Sequence, residues 1–381
     1  MPKIVWSLSN ETTSTDYTSS MMSFTYFYGR RSYLDNYQGH DIAITIKNNS
    51  NQSAGFAVND RIAVIATVGI YQATYQSYWV SEIQYNDYPG NTGLSTATII
   101  ASDAINRLGR SLGNSVVIAS GTTGQQLVDM AASASWPGNI TVQNNSTVSV
   151  ASAVTITDSY ANQINLDATT EKGVLFWAYG KSVRLIGRSY VNNLRGSPTF
   201  SLSKTASTTA IAYQGFRRIA AGLNLVNYAT VTPAGLTSVV GSNSSSISLY
   251  GQNGITQSTV DSTTTQAQGG ADWIAQSQSS PTNLRFEVDW LDLAQDQTAL
   301  LGFLQNVTGF GLYPYIIVPL TYRVPGAVSD TTVETLVEGW TVRANPESTQ
   351  YTFYLSPLTY YQFFTLDSST LGILDTSRLG W

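Results

Sequence analysis

Cysteine is absent from the 381-residue chain. That removes disulfides, thiolate catalysis and zinc–cysteine sites together, and leaves the chain indifferent to redox compartment. Histidine occurs once, at His40, so histidine-rich metal sites are excluded. Charged residues make up 11% of the chain, against about 25% in an ordinary soluble protein. No basic stripe accompanies the net charge of −5, which argues against nucleic-acid recognition through phosphate neutralisation. Long apolar runs are missing too. The most apolar stretch, Leu312–Leu320, is broken by Pro314 and Pro319 and is too short to span a bilayer. Met1-Pro2-Lys3-Ile4-Val5-Trp6 carries no apolar core of a secretory signal. Neither a Gly-x-x-x-x-Gly-Lys phosphate loop nor a Gly-x-Gly-x-x-Gly turn after a strand is present. The expectation is a protein with no cofactor, no metal and no membrane span. Sequons at Asn139, Asn145, Asn243 and Asn306 read as part of an Asn/Ser/Thr-rich composition rather than as glycan sites.

What fills the chain is uncharged polarity and apolar residues. Hydrophobic residues reach 42%, with 23 Tyr, enough to build packed cores and too many for disorder. Tyr and Thr favour strands. The stretch Phe24–Asn48 organises the N-terminal part. It holds two strand-like runs, Phe24–Tyr28 and Asp41–Lys47, joined through Gly29-Arg30-Arg31-Ser32-Tyr33-Leu34-Asp35-Asn36-Tyr37. Ile42, Ile44 and Ile46 alternate with polar or small residues, which places them on one face of a half-buried strand. Asp60–Val68, Tyr78–Tyr85 and Leu94–Ser102 read as further strands, the last two separated by a Tyr88-Pro89-Gly90-Asn91 turn. Together they predict a small antiparallel barrel or sandwich. Asp103–Arg110 then reads as a helix capped by Asp103.

Residues 121–136 predict a stronger helix, with Leu127, Met130, Ala131 and Ala134 on one face. Asp158–Thr170 predicts another, capped by Asp158 and stopped at Glu171-Lys172-Gly173. Val174–Tyr179 and Ser182–Gly187 form a hairpin pattern, so 113–195 reads as an α+β unit. Beyond it, Thr208–Tyr213, Leu225–Thr232 and Ser246–Tyr250 read as strands. Val260–Gln276 reads as a helix with Ala267, Ala271, Ile274 and Ala275 inward. Leu284–Leu291 alternates as a strand, Gln295–Asn306 reads as a helix, and Tyr313–Tyr322, Val333–Arg343 and Gln350–Ser356 as closing strands.

Candidate chemistry is thin. His40 has no nucleophile beside it in sequence. Glu287 and Asp289 share a strand face and Glu334/Glu338 form a second close pair, a constellation that glycoside hydrolysis would use. Alternation in LRFEVDWL offers the simpler account, with Phe286, Val288 and Trp290 in the core and the charges facing solvent.

The Phe24–Asn48 stretch resembles the N-terminal signature of minor tail proteins of long-tailed (siphovirus-type) bacteriophages, the tail-tip or baseplate-hub group. Its pattern stands here as Gly29-Arg30-Arg31-Ser32-Tyr33-Leu34-Asp35-Asn36-Tyr37-Gln38 followed by the isoleucine strand and Asn48. Three later stretches are similar to that family in the same order. They are Ala101-Ser102-Asp103-Ala104; Glu171-Lys172-Gly173-Val174-Leu175-Phe176; and Val337-Glu338-Gly339-Trp340 with Leu355-Ser356-Pro357 and the ending Leu371-Gly372-Ile373-Leu374-Asp375 through Trp381. The sequence departs from the family at Lys47 and at Asn49-Ser50-Asn51-Gln52.

The resemblance implies a mainly β, α+β chain with two small tube-like antiparallel β-barrel domains and intervening α+β domains. The first barrel would occupy 1–112, the α+β domain 113–195, and the second barrel 196–381 with an insertion near 253–310. It implies a non-enzymatic virion protein, made in the host cytoplasm. Three copies would form a ring that adapts a six-fold tail tube to three-fold tip proteins. Partners would be itself, tube and tip or fibre proteins, and the tape-measure protein. Gly29, Arg30, Arg31, Leu34, Tyr37, Glu171, Gly173, Glu338, Gly339 and Trp340 become candidate interface residues, with Arg30 and Arg31 pairing across domains or subunits. A receptor-binding fibre that recognises surface glycan would instead need a repetitive shaft or a lectin-like end, and a wall hydrolase an added catalytic domain.

Overall fold

The computed structural model describes residues 3–32, 35, 39–48, 54–69, 71–134, 140–142, 150–178, 182–187, 200–220, 225–280, 284–305 and 316–358. Leu34, Tyr37, the loop after Asn48, the sequons at Asn139, Asn145 and Asn306, and the C-terminal motif from Leu371 lie outside these residues.

Strands dominate, and a 14-stranded sheet carries most of them. Its first set runs in the hydrogen-bonded order Thr15–Asp16, Val5–Asn10, Arg61–Val68, Tyr71–Asn86, Thr96–Ser102, Asp41–Lys47, Met21–Gly29, antiparallel throughout. Asp41–Lys47 forms over the residues its alternation predicts, with Ile42, Ile44 and Ile46 buried. The second set runs Ala210–Ala212, Ser201–Ser203, Ile317–Tyr322, Thr331–Ala344, Thr349–Pro357, Leu284–Leu291, Gly215–Ala220.

Each set curls over an apolar interior. Trp6 and Phe24 sit on strands that are far apart in the first order, yet their rings meet edge-on at 4.8 Å. In the second set, Phe216 and Tyr322, also on strands that are not neighbours, meet at a tilt with ring centres 5.2 Å apart, and Trp290 stacks on Tyr351 at 4.6 Å. Aromatic rings of this size dominate the burial that holds such cores.

Helices and short strand pairs occupy the chain between the sets. Ala104–Gly109 starts at Asp103, whose carboxylate accepts from the Asn106 N–H. Thr123–Ser133 is capped by Thr122. Tyr160–Glu171 is capped by Ser159 rather than Asp158, because the Ser159 hydroxyl reaches the Asn162 N–H at 3.3 Å while Asp158 takes the Asn162 side chain. The helix ends on Lys172 in the left-handed region at φ 54, one residue before the glycine that sequence would favour there. The hairpin Val174–Ala178/Ser182–Ile186 follows as the sequence predicts. A separate three-stranded sheet, Val239–Ser242, Tyr228–Pro233, Gly254–Thr259, packs on the helix Thr264–Ser277. Val226, Ala229, Val231, Ala267, Ala271, Ile274 and Ala275 make its own small core.

One element differs in kind from the sequence reading. The segment read as the strand Ser246–Tyr250 is a helix, Ser244–Tyr250. Asn243 caps it by accepting from the Ser246 N–H at 3.0 Å, and alternating Ser and aliphatic residues imitate a strand period. Gly215–Ala220 escapes notice because Arg217 and Arg218 stand side by side and hide the alternation.

Candidate interface site

The two strand sets meet on one strand, the strand switch. Thr331–Ala344 pairs through residues 331–336 with Ile317–Tyr322, and through residues 339–344 with Met21–Gly29. Its other edge pairs with Thr349–Pro357, with a register shift between Val337 and Gly339. The shift leaves Glu338 as the extra residue of a bulge, a device that re-aims a side chain.

Glu338 is turned inward. Its Oε2 accepts from Arg30 Nε at 2.8 Å, with the side chains 1% and 7% exposed. The Arg30 N–H donates to the Glu338 carbonyl at 3.0 Å. The two backbones can approach because both facing residues are glycine: Gly29 pairs with Gly339. Gly29 has φ +85, and a Cβ on it would collide with the Glu338 carbonyl oxygen, while one on Gly339 would collide with the Tyr28 carbonyl oxygen. Trp340 is fully buried beside them; its Nε1 donates to the Tyr26 hydroxyl at 3.1 Å and its ring lies 4.7 Å from Tyr28.

His40 and Asp103 brace the same corner. His40 Nε2 lies 3.3 Å from the Gly29 carbonyl, which fits a donor role for that nitrogen. Its ring meets Phe27 edge-on at 4.4 Å. Burial pushes the imidazole below its usual range. The Asp103 carboxylate accepts from the His40 N–H at 3.0 Å and from the Asn106 N–H at 2.7 Å. Burial outweighs these bonds and raises Asp103 from 3.8 to about 7. A carboxyl raised on folding contributes stability that is complete below its unfolded value and is lost as pH climbs through its folded one. His40, lowered on folding, acts with the opposite sign: its contribution is present above the ordinary imidazole range and is lost as pH falls below it. Asp103→Asn should therefore remove a downward slope of up to about 1.4 kcal/mol per pH unit between pH 4 and 7, measured by urea unfolding across that range.

Arg31 points the other way. It is exposed, with its guanidinium carbon 5.5 Å from the Phe27 ring centre and 5.7 Å from that of Tyr354. The remaining candidates sit elsewhere. Glu171 is buried and accepts from Thr123 Oγ1 at 3.1 Å; Lys172 Nζ donates to Gln257 Oε1 at 3.0 Å; the Gly173 N–H closes the helix on the Ala168 carbonyl. The Glu171 bond ties two helices of the α+β region together, and the Lys172 bond joins that region to the separate three-stranded sheet.

Sequence reasoning missed a second clasp. Asp292 is buried and bridges the sets: Oδ2 accepts from the Ile4 N–H and Oδ1 from the Thr349 N–H, both at 2.9 Å. Trp6 Nε1 adds a bond to Thr349 Oγ1 at 2.7 Å. An Asp that follows a strand reads as an ordinary turn residue, so no local signal marks it.

Members of both carboxylate pairs are engaged in structural contacts. Glu287 pairs with Arg217 and Asp289 accepts from Thr352, on the solvent side of a strand whose Phe286, Val288 and Trp290 are buried. Glu334 is exposed while Glu338 is in its buried ion pair. Among the described residues there is no group of three or more His, Cys, Asp or Glu placed to hold a metal, and no helix long and apolar enough to cross a membrane.

No protein-family model and no curated protein matches the sequence. Solved structures do match the fold. The tail protein from Neisseria meningitidis superposes with a TM-score of 0.64 at 10% identity, over 93% of this chain and 96% of that one. The 43 kDa tail protein of prophage MuSo2 from Shewanella oneidensis gives 0.58 at 12% identity, over 94% and 99%. A prophage tail protein from Listeria monocytogenes gives 0.53 at 9% identity, over 92% and 94%. The chain has the fold of phage tail proteins.

Proposed function

We propose that this chain is a structural, non-enzymatic subunit of a phage-type tail tip, a baseplate-hub protein that assembles as a trimeric ring on the tail axis. The observation that carries this reading is the fold shared with tail proteins over more than nine-tenths of each chain. In this reading the two curled strand sets are the two small tube-like barrels, held by 1–112 and 196–381, with 113–195 and the insertion near 253–310 as intervening units. Two similar barrels in each of three copies present a six-fold surface to the tail tube and a three-fold one to tip or fibre proteins. The tape-measure protein would pass through the ring. The chain would be made in the host cytoplasm and end in the virion.

The chemistry suits that role. A ring protein needs large contacts rather than a reactive centre, and low charge with many Tyr keeps the desolvation cost of such contacts modest. The strand switch and the Asp292 clasp fix the two strand sets against each other, which a ring of defined symmetry requires. Native mass measurement of the purified chain tests the reading. A species of three copies is expected; a monomer at every concentration would contradict it.

A further inference from the structure

We infer that Arg31, seated on the rings of Phe27 and Tyr354, is an anchor that receives an Asp or Glu carboxylate from a second copy of this chain. The inference rests on the ring reading above and gives one of its contacts a chemistry.

Both rings lie within the distance at which a guanidinium is attracted to an aromatic face, at 5.5 and 5.7 Å. They come from Met21–Gly29 and Thr349–Pro357, the strands on either side of Thr331–Ala344. The platform therefore exists only when the strand switch is formed. It is itself fixed: the Tyr354 hydroxyl is bonded to Thr341 Oγ1 at 3.1 Å, and Phe27 packs against both His40 and Tyr354.

Neighbouring arginines behave in opposite ways here. Arg30 spends its charge internally on Glu338. Arg31 is exposed, and among the described residues it has ring contacts but no carboxylate within ion-pair distance. A guanidinium has five N–H donors in a rigid fork suited to bidentate carboxylate binding. Holding that fork on two rings before contact reduces the ordering cost that a free surface arginine would bear.

The charge around it favours a single carboxylate over a polyanion. Arg343 is exposed on the same sheet face, two residues along from Thr341, while Asp35 shares the loop and Asp41 adjoins His40. Glu287, across from Tyr354, is paired with Arg217. Cations and acids thus leave the neighbourhood balanced, a poor field for a nucleic-acid backbone. A second copy brings a surplus of acid, since Asp and Glu number 24 against 19 Lys and Arg. Glu334 and Glu347 are exposed, and their carboxylates carry no ion pair among the described residues.

Sedimentation velocity on the wild-type chain, Arg31→Ala and Arg31→Lys tests this, with thermal unfolding of each at a dilution where the chain is dissociated. The expected result is self-association weakened about 30-fold in Arg31→Ala, an intermediate loss in Arg31→Lys, and unchanged unfolding midpoints. Association as tight in Arg31→Ala as in the wild type would overturn the inference and leave the ring reading standing. A wild-type chain that never associates would overturn both. Retention of double-stranded DNA that depends on Arg31, with self-association unaffected, would assign the fork to phosphate instead and overturn the carboxylate reading.

Discussion

Replacing Arg30 by Ala should cost about 3–5 kcal/mol of unfolding free energy, measured by urea denaturation at neutral pH. The reason is the partner left behind. Glu338 is 1% exposed, and its carboxylate would lose its charge-assisted bond to Arg30 in a site closed to bulk water. Glu338→Ala should cost a similar amount by removing the carboxylate that pairs with the buried guanidinium. The double variant Arg30→Met/Glu338→Leu should lose less than either single one, because apolar groups of similar size remove both charges together. Additive losses in the double variant would show that the pair is not coupled. This expectation divides two residues that the sequence treats alike. Arg30 and Arg31 are adjacent, and a joint role in assembly predicts that replacing both harms ring formation more than folding. Burial assigns the folding effect to Arg30 and leaves Arg31 on the surface.

Gly339→Ala should be at least as damaging, with a loss above about 3 kcal/mol or no folded chain. The new methyl would meet backbone carbonyl oxygens of Tyr28 and Arg30, and backbone in the middle of two paired strands cannot move aside as a flexible side chain does. Gly29→Ala adds a left-handed φ of +85 to its own collision. Gly326 supplies the control: its φ is +84, but nothing lies within 4 Å of an added Cβ. Gly326→Ala should therefore show only the backbone penalty of about 1–2 kcal/mol. If Gly339→Ala and Gly326→Ala cost the same by urea denaturation, close approach at the switch is not what the glycine provides.

Local pattern made much of the fold legible. Asp41–Lys47 and Leu284–Leu291 form over the residues that period-two alternation selects. Thr264–Ser277 buries Ala267, Ala271, Ile274 and Ala275, as its helical spacing requires. Where local chemistry is ambiguous the reading fails, as in the serine-rich helix Ser244–Tyr250, whose cap at Asn243 decides what its residues alone do not.

The strand switch was visible only in pieces. Gly29 and Arg30 belong to one motif and Glu338, Gly339 and Trp340 to another, and nothing in the sequence says that they touch. They are 308 residues apart, and the tie is set by the register of two strands. Asp292 was invisible for the same reason, since its two acceptor bonds reach Ile4 and Thr349. Glu171 and Gly173, which share the resemblance, make other contacts: Glu171 accepts from Thr123, Gly173 closes its helix on Ala168, and the left-handed Lys172 between them reaches Gln257.

On the proposed function this chain is a ring subunit on the axis of a tail, and three-dimensional reconstruction of tails assembled with it puts that to the test. Three copies related by a three-fold axis are expected, enclosing the tail channel at its tip, with the two strand sets of each copy alternating around a six-fold face. Density for the chain only in peripheral fibres, or tails that lack it, would rule the ring role out.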